Sequence, residues 1–217
     1  MKIKWYGHSV FRIETADGLA ILTDPCAPTT GYKLKDIPCD VITSSHAHYD
    51  HNYFVAAAGT PQILSVAGTT EIGGIRFTAI PCFHDEEQGA KRGSNLIFVI
   101  EADGLRIVHM GDIGHQLSEE QLEAIGKPDV LLCPVGGVFT VDPLGACKIA
   151  SALCPRVFIP MHYQTEVLGF IVTLATVEDF LKITRTPDIQ RLNGSEWIVT
   201  PETLPASGRV VVFDYDR

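Results

Sequence analysis

The chain is short of positive charge. Its 17 lysines and arginines face 26 aspartates and glutamates, for a formal net charge of −9. The basic residues are scattered, with Lys91-Arg92 as the adjacent pair and Lys2, Lys4, Lys33 and Lys35 spread elsewhere. A nucleic-acid partner normally calls for a basic face, so that class is excluded as the main activity. An anionic substrate would need a local cation, such as a metal, against this field. No Cys-x-x-Cys pair occurs among Cys26, Cys39, Cys82, Cys133, Cys147 and Cys154. Several sit in apolar surroundings, as in "DVLLCPV", and read as reduced thiols of a cytoplasmic protein. The most apolar stretch, "VLGFIVTLATV" at 167 to 177, is too short to span a bilayer. It reads as core or as a contact between subunits, which leaves a homo-oligomer open. The opening "MKIKWYGHSVFRIE" alternates like a strand and lacks the apolar run of a signal peptide. There is also no Gly-x-Ser-x-Gly elbow, which argues against a serine nucleophile.

What the chain does have is a regular alternation of short apolar runs and turns. With 217 residues and 46% hydrophobic content it can build one substantial core, and a single domain over 1–217 is expected. "KIKWY", "VFRIET", "LAILTD" and "DVITSS" read as strands, followed by "QILSV", "IRFTAIPC", "NLIFVIEA", "LRIVHMG", "VLLCPV", "RVFIPM", "SEWIVT" and "RVVVFDY". Asp17-Gly18, Gly73-Gly74 and Asp103-Gly104 mark hairpin turns. Ser118 with Gln121 forms a capping box before "LEAI", and Gly126 suits the end of that helix. Asp142 and Pro143 open a second helix through "LGACKIASAL", and Thr176 opens a third with "VEDFLK". A shorter helix is expected after Asp50. Strands lead in the first half and strand–helix alternation follows, which predicts an α/β domain with mixed sheets covered by helices.

The densest chemistry is "SSHAHYDHNYF" at 44 to 54. Three of the eight histidines and an aspartate fall there: His46, His48, Asp50 and His51. His46 and His48, two apart on extended chain, point the same way. Asp50 and His51 follow where the chain turns. Neutral imidazole and carboxylate together suit zinc and similar divalent ions. A bare helix cap at Asp50 would not require this spacing of histidines. Further candidate ligands follow apolar runs downstream: His84 after "IRFTAIPCF", Asp112 after "LRIVHMG" and His162 after "RVFIPM". Strand ends of this kind are where α/β folds place ligands.

The ordered set resembles the metallo-β-lactamase superfamily over nearly the whole chain. It comprises the paired opening strands, "TDP" at 23 to 25, "HAHYDH" at 46 to 51, His84, "GD" at 111 to 112 and "PMH" at 160 to 162. The resemblance implies an αββα sandwich with a two-metal site along one edge. It implies that His46, His48 and His84 hold one metal, that Asp50, His51 and His162 hold the second, and that Asp112 bridges both. Zinc is the expected metal, with manganese or iron compatible with the same donors. His48 stands where the diiron oxygen-reductase branch has glutamate. No added domain separates Asp112 from His162, as it would in the RNA-cleaving branch. "PVGGVFTVDPLGA" followed by "IPMHYQT" looks most like the small stand-alone hydrolases similar to L-ascorbate-6-phosphate lactonase, and more distantly the N-acyl-phosphatidylethanolamine phospholipase D group.

The chemistry expected of such a set is hydrolysis of a small ester, lactone or phosphorylated metabolite. A phosphodiesterase acting on a nucleotide or lipid head group, and a non-catalytic metal-stabilised binding protein, are the alternatives. Asp50 is a candidate to orient the attacking oxygen and take up a proton, and His115 in "GDIGHQL" is a candidate for substrate contact or proton transfer. Gly111 and Gly114 would let that loop turn tightly. His8 either approaches the pocket or satisfies a backbone carbonyl, and His109 reads as packed or as support for a ligand. Arg92 reads as a solvated loop charge or an anion clamp, and Tyr163 as a candidate oxyanion donor.

Overall fold

The alternation of the opening residues becomes an antiparallel pair in the computed structural model, which describes residues 1–169, 173–206 and 208–216. Ile3 lies opposite Ile13 and Trp5 opposite Phe11, so one face of the pair is wholly apolar. Among the described residues the chain runs β1 (Lys2–Gly7), β2 (Val10–Glu14), β3 (Ala20–Thr23), β4 (Ile37–Pro38), β5 (Val41–Thr43), β6 (Ala57–Ala58), β7 (Gln62–Leu64), β8 (Gly68–Ile72), β9 (Ile75–Phe83), β10 (Ser94–Ala102), β11 (Leu105–His109), α1 (Glu119–Ile125), β12 (Val130–Pro134), α2 (Pro143–Leu153), β13 (Val157–Met161), α3 (Val177–Ile183), β14 (Ile189–Arg191), β15 (Glu196–Ile198) and β16 (Arg209–Val212). One six-stranded sheet has the order β15-β1-β2-β3-β5-β7. An eight-stranded sheet has the order β14-β16-β13-β12-β11-β10-β9-β8. Both are mixed: β3, β5 and β7 pair in parallel beside antiparallel neighbours, and β11, β12, β13 and β16 do the same in the larger sheet.

The expected α/β architecture of two mixed sheets is therefore observed. Ile3, Trp5, Phe11, Ile21 and Val41 of the smaller sheet share one core with Phe77, Ile97, Val99, Ile107 and Leu131 of the larger. Each fully buried side chain of this size contributes roughly 1.5–3 kcal/mol. The next residue along several strands points the other way. Val10, Leu22 and Ile42 join a second cluster with Cys26, Tyr32, Leu34, Ile37, Leu168 and Leu174. Strands β3 and β5 are buried on both faces and read as unbroken apolar runs for that reason. The α-helices all lie after residue 118, with α1 against β9 and α2 against β12. Irregular chain with the short 3-10 turns Pro28–Thr30 and Phe54–Ala56 supplies the second cluster.

Helix ends follow the cap chemistry. Ser118 and Gln121 form a reciprocal capping box, Asp142 accepts from the Gly145 amide, and Thr176 with Asp179 forms a second box. The helix expected after Asp50 is a correction. Only the 3-10 turn Phe54–Ala56 forms, and its first position, Tyr53, offers no side-chain cap. The Asp50 carboxylate is drawn instead to His8, 3.2 Å away. In the 167 to 177 stretch Leu168 and Leu174 are buried in the second cluster, while 170–172 lie outside the described residues. No helix among the described residues is long and apolar enough to cross a membrane. All six cysteines are unpaired.

Candidate metal centre

The chemistry-bearing residues collect just past strand ends. Asp24 follows β3, the segment from Ser44 to His51 follows β5, His84 follows β9, Asp112 lies just beyond β11, and His162 follows β13. His8 sits in the turn between β1 and β2. Among the described residues, three groups of side chains have ligand atoms mutually within 4.8 Å: His46, His48 and His84; His46, His51 and Asp112; and His8, Asp50, His51 and His162. The seven residues expected from sequence are thus brought together, and His8 joins them.

Asp112 is the centre of the arrangement. Its Oδ2 lies 3.0 Å from His51 Nε2, 3.2 Å from His162 Nε2, 3.3 Å from His84 Nε2 and 4.0 Å from His46 Nε2. Four imidazole nitrogens aimed at one carboxylate oxygen make poor hydrogen-bond economy, since a single oxygen cannot serve them all. The buried His46 Nε2 and Asp112 Oδ1 have no hydrogen-bond partner among the described residues. Orphaned polar atoms of this kind are rare in a folded interior, and nitrogen and carboxylate donors are the set that divalent zinc-like ions take. The residues present therefore fit a metal.

Electrostatics leave His46, His8, Asp50 and Asp112 ready to donate to a metal, while His51 holds a proton that a metal would displace. Burial, reinforced by the charge of His51, pushes His46 down to about 3. Burial and neighbouring His162 push His8 down to about 4, so both imidazoles are neutral at pH 7. Burial alone would raise Asp112, but His162 and His51 hold its carboxyl well below the usual range. Asp50 is likewise held low, against its burial, by His51 and by the bond to His8. His51 is buried, which disfavours its charge, yet Asp112 and Asp50 raise it well above its ordinary value.

Two supporting residues were assigned no role from sequence, although Asp24 lies within the "TDP" motif. Asp24 is fully buried. Its carboxylate accepts from the Ser45 amide at 2.7 Å, the Ser45 hydroxyl at 2.6 Å and His51 Nδ1 at 2.8 Å. With Nδ1–H given to Asp24, His51 presents Nε2 to the cluster. Asn95 receives the Asp112 amide on its Oδ1 and donates to the Met110 carbonyl, which fixes the loop that carries Asp112. Space is tight there: a Cβ at Gly111 would come within 2.4 Å of Asn95 Oδ1, and one at Gly114 within 2.4 Å of the His84 backbone. Three non-glycine residues of the centre, His8, Asp24 and His162, hold left-handed backbone at φ 53°, 40° and 50°. Such conformations cost roughly 1–3 kcal/mol each and gather where function requires them.

Other expected residues stand apart. His115 Nδ1 donates to the Gln116 carbonyl at 2.7 Å, and its Nε2 accepts from the Phe83 amide at 3.1 Å. Both ring nitrogens are committed to backbone, and His115 belongs to none of the three ligand groups. Tyr163 is buried against Trp5, with ring centres 5.4 Å apart, and burial raises its hydroxyl far above the usual range. Arg92 lies over the Phe139 ring at 5.4 Å. His109 faces the Ser9 carbonyl at 2.9 Å and receives the Gly111 amide, a packed residue beside Asp24.

A family model for the beta-lactamase superfamily domain matches residues 2–162. The chain belongs to the metallo-β-lactamase superfamily. A UPF0173 metal-dependent hydrolase of Archaeoglobus fulgidus is 30% identical over 217 residues, covering 84% of this chain and 90% of the relative. The crystal structure of a candidate Zn-dependent hydrolase of the metallo-β-lactamase superfamily from Thermotoga maritima superposes with a TM-score of 0.81, at 34% identity and 99% coverage of both chains. A metallo hydrolase of Ignicoccus hospitalis shares the fold at TM-score 0.65 and 24% identity, over 83% of this chain and 88% of that one. This superfamily member is a metal-dependent hydrolase of the small stand-alone branch.

Proposed function

We propose that the protein is a dinuclear hydrolase that opens a small ester, a lactone or a phosphorylated metabolite, working as one domain over 1–217 in the cytoplasm. In this reading His46, His48 and His84 would hold one divalent ion, Asp50, His51 and His162 would hold the other, and Asp112 would serve both. The observation that carries it is the convergence of four imidazole nitrogens on Asp112 Oδ2, with Asp112 Oδ1 buried and unpartnered among the described residues. Zinc is the favoured metal, since neutral imidazole with few carboxylates is its usual donor set. Two such ions would supply a water acidified towards a pKa of about 7 and positive charge for the oxyanion and the leaving oxygen.

The chain's own residues do the remaining work. Asp112 would place negative charge between the two cationic positions. Asp24 holds the Nδ1 proton of His51, so the proton that a bound metal would displace is the one on Nε2. Asp50, ionised at neutral pH, accepts the proton released on attack at its carboxylate. His48 is exposed while His8, Asp50, His51 and His162 are buried, so substrate approaches from the His46–His48–His84 side. His115 ties the Asp112 loop to the end of β9 beside His84 and serves as a positioning residue.

Turnover of a panel containing lactones, carboxylic esters, sugar phosphates and a generic phosphodiester, with chelated and zinc-reconstituted protein, tests the reading. Metal-dependent hydrolysis of a lactone, ester or phosphate monoester is expected. Activity confined to the phosphodiester would move the protein to the phosphodiesterase class, and none at all would remove this assignment.

A further inference from the structure

The buried group at the second position has one member more than the superfamily resemblance assigns. His8 lies in the turn Gly7–His8–Ser9, is fully buried, and places Nε2 3.2 Å from Asp50 Oδ2. Its ring centre is 4.2 Å from that of His162 and 5.1 Å from that of His51. One ligand atom from each of His8, Asp50, His51 and His162 falls within 4.8 Å of the others. Donors about 2.1 Å from a common zinc-like ion are separated by roughly 3.4 Å in a tetrahedron; Asp50 Oδ2 lies 3.2 Å from His8 Nε2 and 3.7 Å from His51 Nε2, distances suited to donors around one ion. The backbone adds an independent sign. His8 holds φ 53°, a conformation a histidine adopts at a cost, in a turn where glycine would sit without strain.

We propose that His8 is a fourth side-chain ligand of the second metal position, beside Asp50, His51 and His162. This rests on the dinuclear reading above and makes the two positions unequal. The second is closed and buried, ringed by four side chains together with Asp112. The first has three histidines, one of them exposed, and keeps the room that a substrate needs. The buried ion is therefore held more tightly, and a chelator removes the ion at His46, His48 and His84 first. A hydrogen bond from His8 to Asp50, with no bond to metal, is the competing role.

Cadmium-substituted protein, observed by cadmium NMR, separates these roles because scalar coupling to a ring proton identifies each histidine ligand directly. Two cadmium resonances, one of them coupled to His8, are expected. Two resonances without coupling to His8 would overturn the proposal and leave the dinuclear reading standing. A single resonance coupled to His8 would uphold the ligand and refute the two-ion reading, and a single uncoupled resonance would refute both. His8→Gly gives a second measurement, since glycine suits φ 53° and should preserve the fold. It should weaken one zinc ion by more than about 100-fold, the ceiling for loss of a merely orienting partner, with partial recovery in free imidazole. A loss of less than about 10-fold at both ions would overturn the proposal.

Discussion

Asp24→Asn is the perturbation that best exposes how the centre is held, because it changes one atom's chemistry and almost no volume. The Asp24 carboxylate is surrounded by three donors, two from Ser45 and one from His51, at 2.6–2.8 Å. An asparagine retains one acceptor oxygen and turns a donor NH₂ towards a neighbour that is also a donor. If that NH₂ faces His51, the Nδ1 proton must leave, and the favoured tautomer carries its proton on Nε2, where a metal would bind. If it takes the place of Oδ1, the amide of Ser45, the residue preceding His46, loses its partner. A buried donor left unsatisfied costs about 1–3 kcal/mol. Loss of an orienting partner behind a metal-bound histidine typically lowers affinity 10–100-fold. The expected result is zinc binding weakened by about 10–100-fold at one of two positions, with the metal-free melting temperature also lowered. Calorimetric zinc titration against a competing chelator measures it. Unchanged affinity at both positions would refute the tautomer argument.

Three further outcomes follow from the same geometry. Asp112→Ala should be worse than loss of any single histidine, with at most one ion retained and turnover lost, because it removes charge shared by both positions; two ions and a near-normal rate by elemental analysis and kinetics would contradict that. His115→Ala should lower stability by about 1–3 kcal/mol, for two net hydrogen bonds of about 0.5–1.5 kcal/mol each, and change the rate per metal-loaded molecule by less than about 10-fold; a 10²–10⁴-fold rate loss at full metal content would restore a proton-transfer role. In the metal-free protein His8 and His46 are neutral, with values near 4 and 3 against 6.5 unfolded. The unfolded chain takes up these protons first, as it does those of His48 and His109, which are also lowered, so stability should fall as pH drops from 6.5 towards 4. Above 6.5 the raised His51 reverses the slope. Denaturation of metal-free protein across this range, with no stability maximum near pH 6.5, would contradict these shifts.

Much of the centre was legible because its donors are written in a local pattern. His-x-His-x-Asp-His needs only strand and turn geometry to converge, and His84, Asp112 and His162 each follow an apolar run that is a strand. The helix caps were legible for the same reason, since Ser118, Asp142 and Thr176 act within three residues. What was hidden depends on distant contacts. Asp24 meets His51 across 27 positions and Asn95 meets the Asp112 amide across 17, and neither pairing has a local signature. Strand β8, "GTTEI", escaped notice because four of its five residues are exposed and no apolar alternation marks it. The helix anticipated after Asp50 failed because the carboxylate that would cap it is turned to His8. His115 is near Asp112 in sequence, but its contacts, to the backbone of Phe83 and Gln116, carry no local signature.

The central claim is that two ions share Asp112. Crystals of zinc-reconstituted protein, with anomalous scattering recorded at the zinc absorption edge, test it most directly. Two anomalous peaks about 3.5–4 Å apart are expected, one among His46, His48 and His84 and one among Asp50, His51 and His162, with the Asp112 carboxylate between them. A single peak at full occupancy, or two peaks with Asp112 touching only one, would contradict it.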